Sequence, residues 1–211
     1  MGKVPVDLEN PYDPNHWNRD IEPKHRVVLN TLWVLPFGRN SRFLPNVPGP
    51  VNQVIGGWKF AWASIMQTGQ YFSPSFSGSD PSGTNTSGGL PNRIANGNLP
   101  TGQRSISHWF DTTAFTAPTP GHFGNSGVNV LQSPGEITHN ISLSKRFPLT
   151  ERLHLDFMCM VSNLFNHPNF LPPGSNISAS GQAGVITNQY SYYDNDKSGP
   201  RSVEFRARLE F

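Results

Sequence analysis

The stretch GPRSVEFRARLEF, residues 199–211, alternates without a break. Val203, Phe205, Ala207, Leu209 and Phe211 fall on one side of an extended chain, and Ser202, Glu204, Arg206, Arg208 and Glu210 on the other, because successive side chains leave a strand on opposite faces. One face is wholly apolar and the other almost wholly charged. Such a strand belongs to a sheet that separates water from a core or from hydrocarbon. Soluble domains commonly end in a frayed polar tail, whereas this strand carries its alternation to a final aromatic, Phe211.

Four more segments read as strands on the same period. Residues 25–37 place Val27, Leu29, Thr31, Trp33, Leu35 and Phe37 on one face, with a second face that is also fairly apolar (Val28, Leu32, Val34). Residues 56–72 set Trp58, Phe60, Trp62, Ser64 and Met66 against Lys59, Ala61, Ala63, Ile65 and Gln67. Residues 137–147 set Ile137, His139, Ile141, Leu143, Lys145 and Phe147 against Thr138, Asn140, Ser142, Ser144 and Arg146. Residues 152–165 set Leu153, Leu155, Phe157, Cys159 and Val161 against His154, Asp156, Met158, Met160 and Ser162. No segment sustains helical spacing over three turns.

The connections differ sharply in length. Strands three and four are joined by PLTE, residues 148–151, which is turn-sized, and strands one and two by the Pro/Gly/Asn-rich residues 38–55. Residues 73–136 and 166–200 are very long and rich in Gly, Ser, Pro and Asn, unlike the connections of compact soluble domains. In an antiparallel meander alternate connections emerge at opposite ends, so the shorter links gather at one end and the long loops at the other. That asymmetry is a property of outer-membrane barrels. A terminal aromatic fits a strand ending at a membrane interface, with Trp58 and Phe60 at the same rim and Tyr71 and Phe72 at the opposite one. The same aromatics would also serve as the core of a sandwich.

Composition narrows the classes further. Among 211 residues, Gly and Pro number 20 each, an excess that belongs in turns and loops. No run approaches the ~18 apolar residues of a spanning helix. The formal charge of +2 is carried by no basic run, so nucleic acid is not an expected partner. Cys159 is the single cysteine and reads as a small apolar residue of its strand. The first residues, MGKVPVDLENPYDPNHW, contain no apolar signal-peptide core, and Val6 stands where a myristoylation motif needs Ser or Thr. Residues 1–24 read as an irregular outer-loop segment and 25–211 as the strand-bearing domain.

No nucleophile elbow, HExxH, Walker or dinucleotide motif is present, and the expectation is a protein that is not an enzyme and has no cofactor or metal. SGTNTSGG at 82–89 lacks a lysine and a following helix, so it reads as a flexible loop. His154 and Asp156 share a strand face at a spacing that would let them share a proton or a metal, but that face is polar throughout, which favours a structural role. Glu204, Arg206, Arg208 and Glu210 read as an ion-pairing set. The long loop 73–136 is the expected functional element. His108, Trp109, Phe110, Phe115 and His122 are its candidate ligand contacts, in a polar and aromatic mix suited to carbohydrate or oligopeptide.

GPRSVEFRARLEF, DFMCMVSNLFNHPNF (156–170), WFDTTAF (109–115) and GHFGNSG (121–127) together resemble the C-terminal part of TonB-dependent outer-membrane transporters, more narrowly the Oar-like branch. The resemblance runs from about residue 20 onward. It implies an outer-membrane β-barrel of about twenty-two strands in a Gram-negative-type bacterium, with a terminal aromatic, here Phe211, recognised by the barrel-assembly machinery. The chain departs from that pattern in having about five strands and neither a plug domain nor an energy-coupling box. Five strands cannot close a barrel when the smallest has about eight, and open edges in lipid are costly. The expected fold is therefore an all-β antiparallel meander forming an incomplete segment of a transmembrane barrel. The expected function is that of a C-terminal fragment taking part in uptake or surface binding within a longer chain. Its partners would be outer-membrane lipid, the N-terminal barrel and plug, and an unidentified ligand. The alternative is a soluble or surface-attached all-β binding module, an adhesin or carbohydrate-binding protein. The apolar face discriminates: a barrel shows it to lipid, and a sandwich covers it with a second sheet.

Overall fold

The computed structural model describes residues 21–78, 83, 89–191 and 198–211. In chain order the elements are β1 (Arg26–Val34), the helix α1 (Gly49–Ile55), β2 (Lys59–Gln67), β3 (Tyr71–Phe72), β4 (Asn92–Arg93), β5 (Phe115–Thr116), β6 (Leu131–Gln132), β7 (Glu136–Pro148), β8 (His154–Ser162) and β9 (Ser202–Glu210), with single 3₁₀ turns at Thr101–Gln103 and Thr112–Ala114. The chain divides into two compact units. A strand unit holds Arg26–Met66, Glu136–Asn169 and Tyr190–Phe211; a loop unit holds Gln67–Gly135, Phe170–Gln189 and the described part of Met1–His25.

In the strand unit the five long strands form one sheet in the order β1-β2-β7-β8-β9, an open antiparallel meander whose edges are β1 and β9. The expected all-β class and five-strand meander are what the chain forms. Period-two alternation places the strands, and β-branched and aromatic residues suit the pleated surface. The register keeps each face uniform across three strands: Phe205 lies opposite Cys159 and Cys159 opposite Leu143, while Arg208 lies opposite Asp156 and Asp156 opposite Arg146. A slip of one residue would exchange the faces wholesale. The β7–β8 link closes tightly, the amides of Leu149 and Thr150 donating to the Leu153 carbonyl at 2.9 and 3.1 Å.

The link between β1 and β2 departs from the strand-and-loop reading, because Gly49–Ile55 forms two turns of helix. Pro50 stands in its first turn, where a missing N–H costs nothing, and Gly56-Gly57 ends it.

The loop unit is ordered around a core of its own. Phe110, Ala114, Phe115 and Leu131 are buried together, with Phe72, Val130 and Ile177 packed against them. Two short antiparallel pairs, β3 with β6 and β4 with β5, frame it. The WFDTTAF segment supplies most of the core. Asp111 accepts from the Thr113 amide at 2.9 Å and turns the chain so that Phe110 and Phe115 both point inward. In GHFGNSG, a Cβ on Gly124 would lie 1.9 Å from the Leu90 carbonyl oxygen, so only glycine fits that approach. The expected irregular segment 1–24 falls mostly outside the described residues, as does most of SGTNTSGG.

Candidate functional site

The two faces of the sheet carry opposite chemistry. On the apolar face, Val203, Phe205 and Leu209 of β9 are 55%, 68% and 57% exposed, and Val27, Leu29 and Trp33 of β1 are similarly bare. Covering such a side chain is worth roughly 1.5–3 kcal/mol, so six of them amount to on the order of 10 kcal/mol, comparable with the whole stability of a small domain. A face of that kind is not left to water. The exposure also answers the sandwich alternative, since a sandwich would hide these side chains beneath a second sheet.

Aromatic rings border this face at both ends. At the turn end Trp33 stacks on Phe60 with centroids 5.9 Å apart, Trp58 meets Phe147 and Phe157 edge-on at 6.1 and 6.3 Å, and Phe157 reaches Phe205 at 6.3 Å. At the loop end Trp62 and Phe165 flank the His139 ring at 6.1 and 5.1 Å. Between them the face is aliphatic, with Ile141, Leu143 and Val161. From His139 to Phe147 is about 27 Å along β7 at ~3.4 Å per residue, or about 20 Å once a strand tilt of ~40° is projected, near the ~25 Å apolar band of outer-membrane barrels. Trp58 and Phe60 lie at the rim expected of them. The opposite rim is made by Trp62 and Phe165; Phe72 instead packs edge-on to Phe110 in the loop core, and Tyr71 of β3 pairs with Gln132 of β6.

Ser64, His139 and Lys145 interrupt the apolar face with polar groups, and each has a partner. Ser64 Oγ and His139 Nδ1 are 2.7 Å apart beside the Trp62 and Phe165 rings. Lys145 is buried, and its Nζ donates to the carbonyls of Gln53 and Val54 at 2.5 and 3.2 Å, with the Phe147 and Trp58 rings 4.8 and 5.6 Å away. Two carbonyls and two π faces offset the cost of holding an ammonium there.

The other face is ionic over β7, β8 and β9, whereas β1 presents Val28, Leu32 and Val34 there. A groove of about 590 Å³ is lined by Lys59, Arg146, Asp156, Met158, Arg206 and Arg208. Arg146 makes a bidentate pair with Asp156 at 2.7 and 2.6 Å and a further bond to Glu210 at 2.6 Å, tying β7, β8 and β9 together. Glu204 takes Arg206 at 2.7 Å, and Arg208 lies 3.4 Å from Glu210. The set singled out from β9 thus pairs within the sheet. Both Asp156 oxygens are engaged by Arg146, and among the described residues no three metal-binding groups cluster. Cys159 sits half-buried on the apolar face between Phe205 and Leu143.

At the loop end of the sheet, the NLFNHPNF segment forms a polar corner that sequence reasoning did not assign. Asn163 Nδ2 donates to the His167 and Gly199 carbonyls, each at 2.8 Å, and Asn169 Nδ2 donates to the Ile137 and Ser198 carbonyls at 3.1 and 2.9 Å. Ser198 Oγ donates to the buried Glu136 carboxylate. Three asparagines within seven residues, two of them at positive φ, are the signal that was there to read.

Of the expected loop contacts, Phe110 and Phe115 are 1% and 4% exposed and fill the core of the loop unit, so they are corrected from ligand contacts to packing residues. Trp109 is half-buried, its indole N–H spent on the Gln132 carbonyl at 2.8 Å, with the Arg104 guanidinium over its ring. His108 and His122 are exposed. Phe211 follows β9 and is fully exposed.

A family described as outer membrane beta barrel domain matches residues 2–203. No curated protein and no solved structure matches the chain. With an exposed apolar face bordered by aromatics, an ionic opposite face and a family match over nearly its whole length, the chain belongs to the outer membrane beta barrel domain family.

Proposed function

We propose that this chain is the C-terminal barrel portion of a TonB-dependent transporter or receptor of the Oar-like branch, acting in uptake or surface binding as part of a longer barrel in a Gram-negative-type outer membrane. The observation that carries the reading is an open five-stranded sheet whose apolar face is bare. Edges β1 and β9 would each leave a row of unpaired backbone groups in hydrocarbon, so further strands must complete the wall. The narrower assignment to TonB-dependent proteins rests on the resemblance of the segments 109–115, 121–127, 156–170 and 199–211. In such a barrel the groove lined by Arg146, Arg206 and Arg208 faces the lumen and the plug. His108, His122 and the accessible edge of Trp109 are offered to the ligand. Phe211 is offered to the barrel-assembly machinery, and the chain has no catalytic role of its own.

The test is the transcript that encodes these residues. An upstream reading frame supplying a plug domain, an energy-coupling box and further amphipathic strands supports the proposal. A complete barrel frame lacking plug and box would overturn the transporter assignment while leaving the outer-membrane barrel intact.

A further inference from the structure

The β1–β2 connection is built as a small folded body at the turn end of the sheet. The Phe43 amide donates to the Pro36 carbonyl and the Gly38 amide to the Phe43 carbonyl, at 3.0 and 3.1 Å, so that the Phe37 and Phe43 rings meet 5.6 Å apart. Asn52 on α1 accepts the Arg39 amide at 2.6 Å. Gly38, at φ +109°, passes so close to Gly56 that a Cβ would lie 2.8 Å from its Cα. This body is bolted to the apolar face of the sheet and not to the ionic one. The Trp58 indole donates to the Val54 carbonyl at 2.8 Å, and Lys145 holds the last carbonyls of α1. Lys145 thereby meets the carbonyl-rich end of the helix, where a cation is favoured.

Its outer surface does not resemble an ordinary turn. Phe37, Phe43, Leu44, Val51 and Val54 are 42%, 48%, 56%, 44% and 64% exposed. Arg39 and Arg42 stand exposed among them, the Arg42 guanidinium 5.8 Å from the Phe43 ring centroid. No Asp or Glu occurs anywhere from residue 23 to residue 79. Exposed aliphatic and aromatic side chains mixed with cations and free of acids match a headgroup layer, apolar groups dipping beneath it and guanidinium groups pairing with phosphate. The patch is continuous with the aromatic rim through Trp58, Phe147 and Lys145, and so with the membrane-facing surface already described.

We infer that residues 36–58 form an interfacial anchor that lies on the phospholipid headgroups of the leaflet at the turn end of the sheet, with Lys145 and Trp58 setting its height on the barrel wall. This rests on the membrane-barrel reading and adds to it a lipid class, anionic phospholipid, and the residues that meet it. Arg39 and Arg42 contact phosphate, and Val51 and Val54 enter the acyl boundary.

The experiment uses the longer barrel that carries these residues, with Cys159→Ala and any cysteine elsewhere in it replaced, and a fluorescent label at Val54→Cys or, as the control, at Phe205→Cys. Each protein is placed in phosphatidylglycerol or phosphatidylcholine vesicles, and the label is quenched by nitroxides carried in the headgroup, deep in the acyl chains, or in water. The expected result is that the Val54 label is quenched from the headgroup level and the Phe205 label from the acyl chains. Arg39→Gln, Arg42→Gln and the change to phosphatidylcholine should each weaken headgroup quenching at Val54, by roughly fivefold per arginine, and leave Phe205 unchanged. A Val54 label reached only by the water-borne quencher, with Phe205 still deep in lipid, would overturn the anchor alone. Equal depth in both lipids would overturn the anionic class. Both labels in water would overturn the membrane reading and the anchor with it.

Discussion

The two units of this chain solve opposite packing problems with the same residue types. The loop unit hides Phe110, Phe115 and Leu131 and leaves its described Asn, Ser and Thr at least partly exposed, Ser126 and Ser133 excepted, as a domain in water does. The strand unit exposes Phe205, Leu209, Trp33 and Val27 and buries Glu136, Thr138, Lys145, Asn163, Asn169 and Ser198. A phenylalanine is therefore a core residue in one unit and a solvent-facing residue in the other, and the solvent it faces is hydrocarbon. Its value to the fold can be measured only in the right medium.

Truncation should separate the units most strongly. Phe110→Ala removes a ring at the centre of the loop core and is expected to cost about 3–5 kcal/mol, seen as protease cleavage within residues 89–135 at much lower denaturant. Phe205→Ala should cost far less in lipid, because acyl chains fill the space that the ring leaves. Equal losses at the two positions would break the comparison.

Charge should reverse the order. Phe205→Arg places a guanidinium at mid-face and is expected to cost about 2–4 kcal/mol of folding into bilayers. The same change at Ile94, 68% exposed in the loop unit, should be nearly silent. A tolerated Phe205→Arg in vesicles would mean that the apolar face does not meet lipid.

The polar corner sharpens the comparison from the buried side. Asn169→Ala strands the Ile137 amide, which Asn169 Oδ1 accepts at 2.8 Å, and the Ser198 carbonyl. With the buried Ser198 carbonyl and the partly buried Ile137 amide unpaired, the expected loss is on the order of 1–3 kcal/mol, read as faster hydrogen exchange at Ile137 and at Tyr190, whose amide donates to the Asn169 carbonyl.

What the sequence made legible follows from the reach of each interaction. The five strands and their faces could be read because period two is a local property, and even the odd placement of Lys145 among apolar residues is visible in ITHNISLSKRF. What neutralises Lys145 is not visible, since its partners lie about ninety residues away on α1. The helix itself is short and flanked by Pro and Gly, so it reads as a loop. The loop core escaped for a related reason. Its strands are two residues long, too short for any period, and its apolar side chains come from positions as far apart as Phe72 and Ile177. The aromatic segment 109–115 was read as ligand contacts, yet Phe110 and Phe115 pack inward, because composition alone does not tell an inward ring from an outward one.

The smallest effect is expected in the ionic groove, where intuition would look for the largest. Arg146 bridges three strands through Asp156 and Glu210, yet its side chain is 54% exposed and theirs 32%, so water competes for every bond. Register does not need the bridge either, because the apolar face already penalises a one-residue slip. Arg146→Ala should therefore leave stability almost unchanged. Arg146→Glu is the informative variant, since it sets a third carboxylate beside Asp156 and Glu210 and turns attraction into repulsion. Its destabilisation should be measurable at low ionic strength and fade as salt rises through the range where the Debye length falls below the ~3–4 Å separation of the groups. A large, salt-independent loss would instead mean that the groove is closed to bulk water, and that the ionic face is packed against another part of the protein as tightly as the loop core is packed on itself.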